Sequence, residues 1–252
     1  MIARIPILLV AGGVACCATA DADAQSAAAL SATPRIIETP LAVPHAVQGV
    51  IRYRMTATRP GDTARVEIGT RTVERHDTAI GGMHMIHRVL SFISPRGSVI
   101  DSTICHGASL APVSERSHQP TKTMSLDFAG AHVTGVVAPK DSAAHAVDMD
   151  TTVPVFNSTD ADLVVASLPL AEGYHAILPF YTYELGGLER DTVTVLRSEK
   201  FAGPDGERKA WVAQLADPFL HITYWIDTDT REILQAEYVR RKDGMVMRMT
   251  RF

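Results

Sequence analysis

The sequence has few of the features that mark disulfide-stapled, membrane-spanning or nucleic-acid-binding proteins. It contains three cysteines in 252 residues, and Cys16 and Cys17 both lie in the first apolar stretch. Cys105 would remain alone after removal of that stretch, so we expect it to be a buried strand residue without a redox role. No later apolar run reaches the length of a membrane helix. The net charge of −4 gives no electrostatic basis for a nucleic-acid partner.

Recognisable catalytic and metal-binding motifs are also absent. There is no glycine-rich phosphate loop, and residues 107–111 (GASLA) lack the final glycine of a nucleophile elbow. His84 and His87 are three apart on a predicted strand, so they should point to opposite faces and cannot share a metal. Residues 227–229 (DTD) lack the glycine and glutamate of a calcium loop and indicate a hairpin turn instead. The sequence predicts no catalytic residue, metal site or cofactor.

The first 24 residues have the pattern of a secretory signal peptide. Arg4 precedes an apolar core, and residues 22–24 (ADA) form an A-x-A cleavage site, with residues 18–20 (ATA) as a second candidate. We therefore expect a periplasmic or secreted protein that keeps no transmembrane anchor after cleavage. Acylation of Cys16, which would make the chain a lipoprotein, is the alternative.

Beyond the signal, the chain divides into a tether and one domain. Residues 25–46 are rich in Pro, Ala and Ser and are predicted to be the tether. In residues 47–252, short alternating runs are separated by Gly, Pro and Asp, which predicts antiparallel hairpins; residues 112–126 are interpreted as one strand. We expect roughly ten to twelve strands in a mainly β fold. It should be a single curved antiparallel sheet, a half-open β-barrel, with one or two short helices.

The alternation assigns opposite chemistry to the two faces of this sheet. A polar convex face is predicted from charged residues, which are Arg52, Arg54, Arg65 and Glu67. The opposite face is predicted to be apolar, and Val66 and Ile68 are assigned to it. Its candidate ligand-binding residues are Ile51, Tyr53, Met55, Trp211, Ile222, Tyr224 and Ile226. Periodicity does not distinguish a hollow interior from a plain packed core, so both remain open.

Residues 160–168 give the strongest helix signal in the sequence. They begin with acidic residues, continue with apolar residues that do not alternate, and end at Pro169. We expect this helix to lie on or across the open side of the sheet and to act as a lid. The predicted lid residues are Leu163, Val164 and Leu168.

Two segments resemble a known family. Residues 165–174 (VASLPLAEGY) resemble the short helix and LPL-x-x-G turn of a family of exported bacterial proteins of unknown function. Residues 224–234 (YWIDTDTREIL) are similar to its W-I-D-x-x-T-x-x-x-L hairpin. That family in turn resembles the periplasmic lipoprotein-sorting carriers of the LolA type. The resemblance implies a half-open β-barrel closed by helices, with a concave face that binds acyl chains.

Together these observations favour an exported, non-catalytic protein of the bacterial envelope. It would bind a lipid, an acyl chain or another apolar ligand in a concave sheet. The alternative is an envelope scaffold or accessory protein that binds a protein partner through the sheet and has no ligand cavity. A hydrolase without a recognisable motif is a third hypothesis.

Overall fold

The computed structural model describes residues 35–36 and 49–252. Every strand in these ranges belongs to one sheet of sixteen strands that does not close on itself. The helix α1 (Ala161–Ala166) follows a 3-10 turn at Ser158–Asp160, and a second 3-10 turn spans Tyr183–Leu185. The prediction of a mainly β fold with one curved, open sheet and little helix is confirmed.

The strands alternate with short turns along the chain. They are β1 (Arg35–Ile36), β2 (Gly49–Thr58), β3 (Val66–Ile80), β4 (Met83–Ser94), β5 (Gly97–His106), β6 (Pro112–His118), β7 (Lys122–Ala129), β8 (His132–Pro139), β9 (His145–Asp150), β10 (Phe156–Asn157), β11 (His175–Thr182), β12 (Gly187–Gly203), β13 (Gly206–Ala216), β14 (Leu220–Asp227), β15 (Ile233–Arg240) and β16 (Val246–Arg251).

The sheet places the last described strand next to the first long strand. Its order is β1-β11-β12-β13-β14-β15-β16-β2-β3-β4-β5-β6-β7-β8-β9, and β10 also pairs with β11. The neighbours are antiparallel except β1 and β10, which pair with β11 in parallel. In the middle of the sheet β16 pairs with β2, so that Met249 lies opposite Met55.

Two details of the predicted strands were wrong. The sixteen strands exceed the predicted number. Residues 112–126 belong to two strands, β6 and β7, rather than to one. A turn separates the two strands, and in this turn the backbone amide of Gln119 donates to the carbonyl oxygen of Lys122 at 2.9 Å. Val66 pairs with Ala57 and so lies on the same face as Met55, as assigned, but it begins β3 and is 62% exposed. The residues assigned to the convex face are exposed as predicted, which are Arg52, Arg54, Arg65 and Glu67.

A bulge in β3 reverses its alternation. Met55 of β2 pairs with Gly69, and Ile68 is an extra residue between this pair and the next. Gly69 has a φ of 151°, and a Cβ there would lie 2.1 Å from a backbone carbonyl oxygen of β4, so a side chain does not fit. Beyond the bulge, Arg71 and Arg75 share the inner face with Met55.

The predicted signal peptide, its cleavage sites, Cys16 and most of the predicted tether lie outside the described residues. Arg35 and Ile36, within the predicted tether, form β1. Cys105 is buried in the larger apolar cluster, and burial raises the pKa of its thiol. Its predicted position as a buried strand residue is confirmed.

Candidate functional site

Buried ion pairs hold the start of helix α1 against the sheet. Arg88 of β4 is 4% exposed, and its Nη1 donates to Asp160 Oδ1 at 2.6 Å. Its Nη2 donates to both carboxylate oxygens of Asp162 at 3.0 Å. The Thr103 hydroxyl of β5 donates to Asp160 Oδ1 at 2.9 Å. One guanidinium therefore anchors both acidic residues with which the helical segment begins.

A second arginine, Arg71, extends this polar network. Its Nη2 lies 3.8 Å from Asp162 Oδ2, and its Nη1 donates to the Tyr238 hydroxyl at 3.3 Å. Burial acts to raise the pKa of Asp162, but Arg88 and Arg71 together hold that pKa below its ordinary value. Burial raises the pKa of Asp160, although Arg88 opposes the shift. Asp162 is thus the more firmly ionised of the two carboxyl groups.

A cavity of about 460 Å³ lies between this helix start and the inner face of the sheet. Residues of β2–β5 and β12–β15 contribute to its walls, so strands from both sides of the sheet face each other across it. Three of the predicted ligand residues line it, namely Met55, Ile222 and Tyr224. Side chains therefore leave an open space beside the inner face at this place, and its use as a ligand site stays a prediction.

The polar groups in the cavity wall are mostly committed to partners. Arg71 is bound as described. Asp101 accepts a hydrogen bond from the Ser117 hydroxyl at 2.6 Å. Asp217 accepts from the backbone amides of Phe219 at 2.5 Å and Leu220 at 2.6 Å. These contacts fix the wall and leave little polar capacity for a ligand at these positions.

Asp191 of β12 differs from the other wall residues. It is 6% exposed, lines the cavity, and its Oδ1 has no hydrogen-bond partner among the described residues. Burial raises the pKa of its carboxyl to about 7, and the nearby carboxylates of Asp217 and Glu189 add to the shift. A buried polar atom without a partner is costly. Asp191 is therefore the wall group best prepared to accept a ligand's hydrogen bond.

The remaining predicted ligand residues do not line this cavity. Ile51 and Tyr53 line a second, smaller cavity of about 60 Å³, and the Tyr53 hydroxyl donates to the Ile233 carbonyl at 3.1 Å. Ile226 is fully buried in the larger apolar cluster, and Trp211 packs against that cluster. Both contribute to the core, while neither lines either of these two cavities.

The three predicted lid residues lie in the same apolar cluster as Tyr224 and Ile226. All three are buried, and they are Leu163, Val164 and Leu168. The helix thus packs over the predicted apolar face, as expected from the sequence. Its movement as a lid stays a prediction. The arginines and aspartates that anchor it were missed by the sequence reasoning; the signal available was the acidic pair at positions 160 and 162.

The histidines of β4 make separate local contacts. His87 Nε2 lies 2.9 Å from the Ser102 hydroxyl, and His84 Nε2 lies 3.5 Å from Asp77 Oδ2. Within residues 35–36 and 49–252, no group of three or more His, Cys, Asp or Glu side chains is arranged to hold a metal ion. None of the helices in these ranges is long and apolar enough to cross a membrane.

Three solved structures were found to be similar to the chain. A β-barrel-like DUF1849 protein from Brucella abortus is 11% identical, with 85% of this chain and 98% of that chain covered and a TM-score of 0.49. A protein with a YmcC-like fold from Bacteroides fragilis NCTC 9343 is 10% identical, with 84% and 98% covered and a TM-score of 0.34. A DUF1329 family protein from Desulfovibrio piger ATCC 29098 is 10% identical, with 82% and 85% covered and a TM-score of 0.29.

No curated protein shows significant sequence similarity to the chain. The model of one family, DUF3108, matches residues 51–249, which includes strands from β2 to β16 and helix α1. This family is described as a protein of unknown function. The chain therefore belongs to the DUF3108 family.

Proposed function

We propose that the chain is an exported, non-catalytic protein of the bacterial envelope that binds an amphiphilic ligand in the larger cavity. The observation that carries the proposal is the cavity of about 460 Å³ between the apolar inner face and the anchored helix. Ligand sites in proteins are commonly about 300–1,000 Å³ and mostly apolar, with a few placed polar groups. The resemblance of residues 165–174 and 224–234 to relatives of acyl-chain carriers supports the same class of ligand.

The apolar part of the ligand would lie against the walls between β2 and β14. Met55, Ile222 and Tyr224 line this part of the cavity, and Leu90 and Leu215 are buried beside them. Burial of apolar ligand surface here would supply the free energy of binding, at about 25 cal/mol per Å² before the costs of association. We assign the predicted ligand residues Ile51, Tyr53, Trp211 and Ile226 to the support of this wall rather than to direct contact.

The polar part of the ligand would be a hydrogen-bond donor directed at Asp191. Four carboxyl groups line the cavity, and the one arginine in its wall is bound to Asp162 and Tyr238. An anionic headgroup would meet uncompensated negative charge there, whereas an amine would be attracted and a hydroxyl tolerated. We therefore expect a ligand with an amine or hydroxyl head rather than a fatty-acid carboxylate.

Helix α1 would be a fixed wall at its start and a lid only beyond it. Any opening at Asp160 and Asp162 would leave Arg88 buried without its partners, which is strongly unfavourable. Movement is easier where Pro169 and Gly173 flank the end of the helical segment. We therefore propose that the ligand enters by an opening at the Leu168 end of the helical segment, beyond helix α1.

Three matched probes test the proposal by isothermal titration calorimetry: decylammonium, decanol and decanoate, each below its micellar concentration. We expect decylammonium to bind most tightly and decanoate least. Asp191→Asn should weaken decylammonium about tenfold or more and leave decanol nearly unchanged. Asp62→Asn, which removes a carboxyl group from an exposed turn, is the matched control. It should leave the affinities for decylammonium and for decanol unchanged.

The pH dependence gives an independent readout of Asp191. A bound cation needs the ionised carboxylate, and the free carboxyl has a pKa of about 7. The affinity for decylammonium should therefore fall about tenfold from about pH 8 to about pH 6 in the wild type and stay flat in Asp191→Asn. Absence of saturable binding by all three probes would refute ligand binding. If decanoate bound as tightly as decylammonium, only the proposed chemistry of the ligand's polar end would be refuted.

The edge of the sheet supports the second candidate, a scaffold that binds a protein partner. Within the described part of the chain, β9 pairs only with β8, which leaves one row of backbone groups available for an added strand. Asp148 and Asp150 lie along this edge and contact His132, and such charges oppose unspecific pairing. Photo-crosslinking from position 146 on β9 in intact cells tests this candidate. A discrete adduct to one envelope protein would support it, and the absence of any adduct would contradict it.

A further inference from the structure

The smaller cavity, of about 60 Å³, has a chemistry opposite to that of the larger one. It lies beside the first residues of β2, between β3, helix α1 and the hairpin that joins β14 to β15. Three arginines line it, Arg75, Arg88 and Arg231. Arg88 is bound to the two aspartates of the helical segment, so the chemistry of this pocket depends on the other two.

Arg75 is buried without adequate partners. It is 7% exposed, and Asp77 Oδ1 lies 3.5 Å from both its Nε and its Nη2, which is the outer limit for a hydrogen bond. Its Nε and Nη1 are buried and have no hydrogen-bond partner within residues 35–36 and 49–252. Burial of such a group is costly unless an anion compensates it, and the burial lowers the pKa of this guanidinium.

Arg231 reaches the same pocket from an unusual backbone conformation. Its φ is 63°, in the left-handed region, and its Nη1 is also buried without a hydrogen-bond partner in the part of the chain that the structure describes. The turn before it is fixed because Asp227 Oδ1 accepts from the amides of Asp229 at 2.9 Å and Thr230 at 2.8 Å. The hairpin that carries the W-I-D motif thus holds a strained arginine at the pocket.

The carboxylates in the pocket wall are already occupied. Asp162 accepts from Arg88, and Glu232 Oε2 accepts from Arg208 at 3.0 Å and Arg251 at 2.5 Å. The protein therefore provides more guanidinium donors at this pocket than its own carboxylates accept. A bound anion would accept hydrogen bonds from the guanidinium groups that lack a partner and would compensate their charge.

We propose that this pocket binds a phosphate group between Arg75 and Arg231. Two guanidinium groups can each engage a different edge of a tetrahedral oxyanion, whereas a carboxylate offers only one such edge. The cavity admits the phosphate group itself and little more. The phosphate can be the free ion or the exposed group of a larger molecule. This site is separate from the proposed amphiphile cavity and stands or falls independently of it.

The site can be tested by measuring the thermal midpoint Tm of the protein. The measurement is made in the presence of inorganic phosphate, glycerol 3-phosphate or acetate, with the ionic strength kept constant by chloride. Phosphate at about five times its Kd should raise the Tm by about 2–4 °C, because it binds only the folded chain. Acetate should raise it less. If only inorganic phosphate raises the Tm, the natural ligand is the free ion. If glycerol 3-phosphate raises the Tm more than inorganic phosphate does, the natural ligand is a phosphate ester. Both results support the proposal.

Two variants remove the donors with little risk to the fold. Arg231→Gly deletes the guanidinium and suits the positive φ, so it should fold at least as well as the wild type. Arg75→Met removes a buried charge that lacks adequate partners and should leave the Tm in phosphate-free buffer unchanged or higher. Each should lose at least half of the phosphate-induced shift. Arg96→Gly, in the exposed turn between β4 and β5, is the matched control and should retain the shift.

Three results would overturn the proposal. The first is a wild-type Tm that does not respond to phosphate. The second is an undiminished response in both Arg231→Gly and Arg75→Met. The third is an equal response to acetate, which would show that the pocket does not select a tetrahedral anion.

Discussion

The inner face of the sheet consists of two regions that are both buried but are stabilised in different ways. On β13–β16 it is apolar and packs by shape, with buried residues Ala213, Leu215, Ile222, Tyr224, Ile226, Ala236 and Met249. On β3–β6 it carries polar and charged side chains, which include Arg71, Arg75, Arg88, Thr103, Glu115 and Ser117. The first region is stabilised by any apolar side chains that pack against it, whereas the second requires hydrogen-bond and ion-pair partners at particular positions. Helix α1 provides both, because its acidic start binds the polar region and its later residues enter the apolar cluster.

The largest expected effect comes from breaking the polar region. Arg88→Met would leave Asp160 and Asp162 buried without their main partner, and we expect the free energy of unfolding to fall by about 3–5 kcal/mol. Arg88→Lys keeps the charge but cannot bind both carboxylates bidentately, so it should cost less. Urea unfolding of the two variants measures this difference. A loss below 1 kcal/mol for Arg88→Met would show that the ion pairs contribute little.

A cavity in the apolar region should be somewhat less costly. Leu168 is 1% exposed in the larger cluster, and Leu168→Ala should lower the free energy of unfolding by about 2–5 kcal/mol, as in a packed core. A freely moving lid would give a smaller loss together with faster ligand release. Urea unfolding and the dissociation rate of decylammonium separate the two cases. Leu196→Ala, at an exposed position, serves as the control.

The smallest of the three effects concerns the pH dependence of the polar region. Glu115 accepts from the Thr159 hydroxyl at 2.7 Å, and burial raises the pKa of its carboxyl from 4.5 to about 7. The folded state therefore holds this proton more tightly than the unfolded state. Its contribution to stability is fully present below about pH 4.5 and is lost as the pH rises through about 7.

Glu115→Gln removes the titrating carboxyl group. The free energy of unfolding of this variant should therefore fall less steeply as the pH rises. Relative to the wild type, the variant should gain about 2–3 kcal/mol between about pH 4 and about pH 8. Urea unfolding across that range measures the gain. A decline of equal slope in both proteins would show that another group is responsible; Asp160 and Asp191, whose pKa values are also raised by burial, would then be the groups to replace.

The apolar region could be predicted from the sequence because its chemistry and its geometry agree. In residues 222–226, alternate positions are apolar, and the structure buries Ile222, Tyr224 and Ile226 on the inner face as predicted. The start of the helix was also predictable, since acidic residues, apolar residues without alternation and a proline define it. Local signals were sufficient for both.

The polar region could not be predicted for two physical reasons. The extra residue Ile68 shifts the alternation, so positions 71 and 75 turn inward although charged residues usually face the solvent. In addition, Arg88 is stable inside only because Asp160 and Asp162 come from a distant part of the chain. Gly69 is the only local mark of the register shift, and the acidic pair at positions 160 and 162 does not show which residue of the sheet it binds. The cavity and the unpartnered Asp191 follow from the same long-range arrangement.

The pairing of β16 with β2 limits the order in which the sheet can be assembled. Because Met249 faces Met55, the first long strand obtains its neighbour on that side only from β16, the last of the described strands. A chain emerging from the ribosome can form its hairpins early but cannot join the two halves of the sheet until β16 has been synthesised. Such long-range closure makes folding slow.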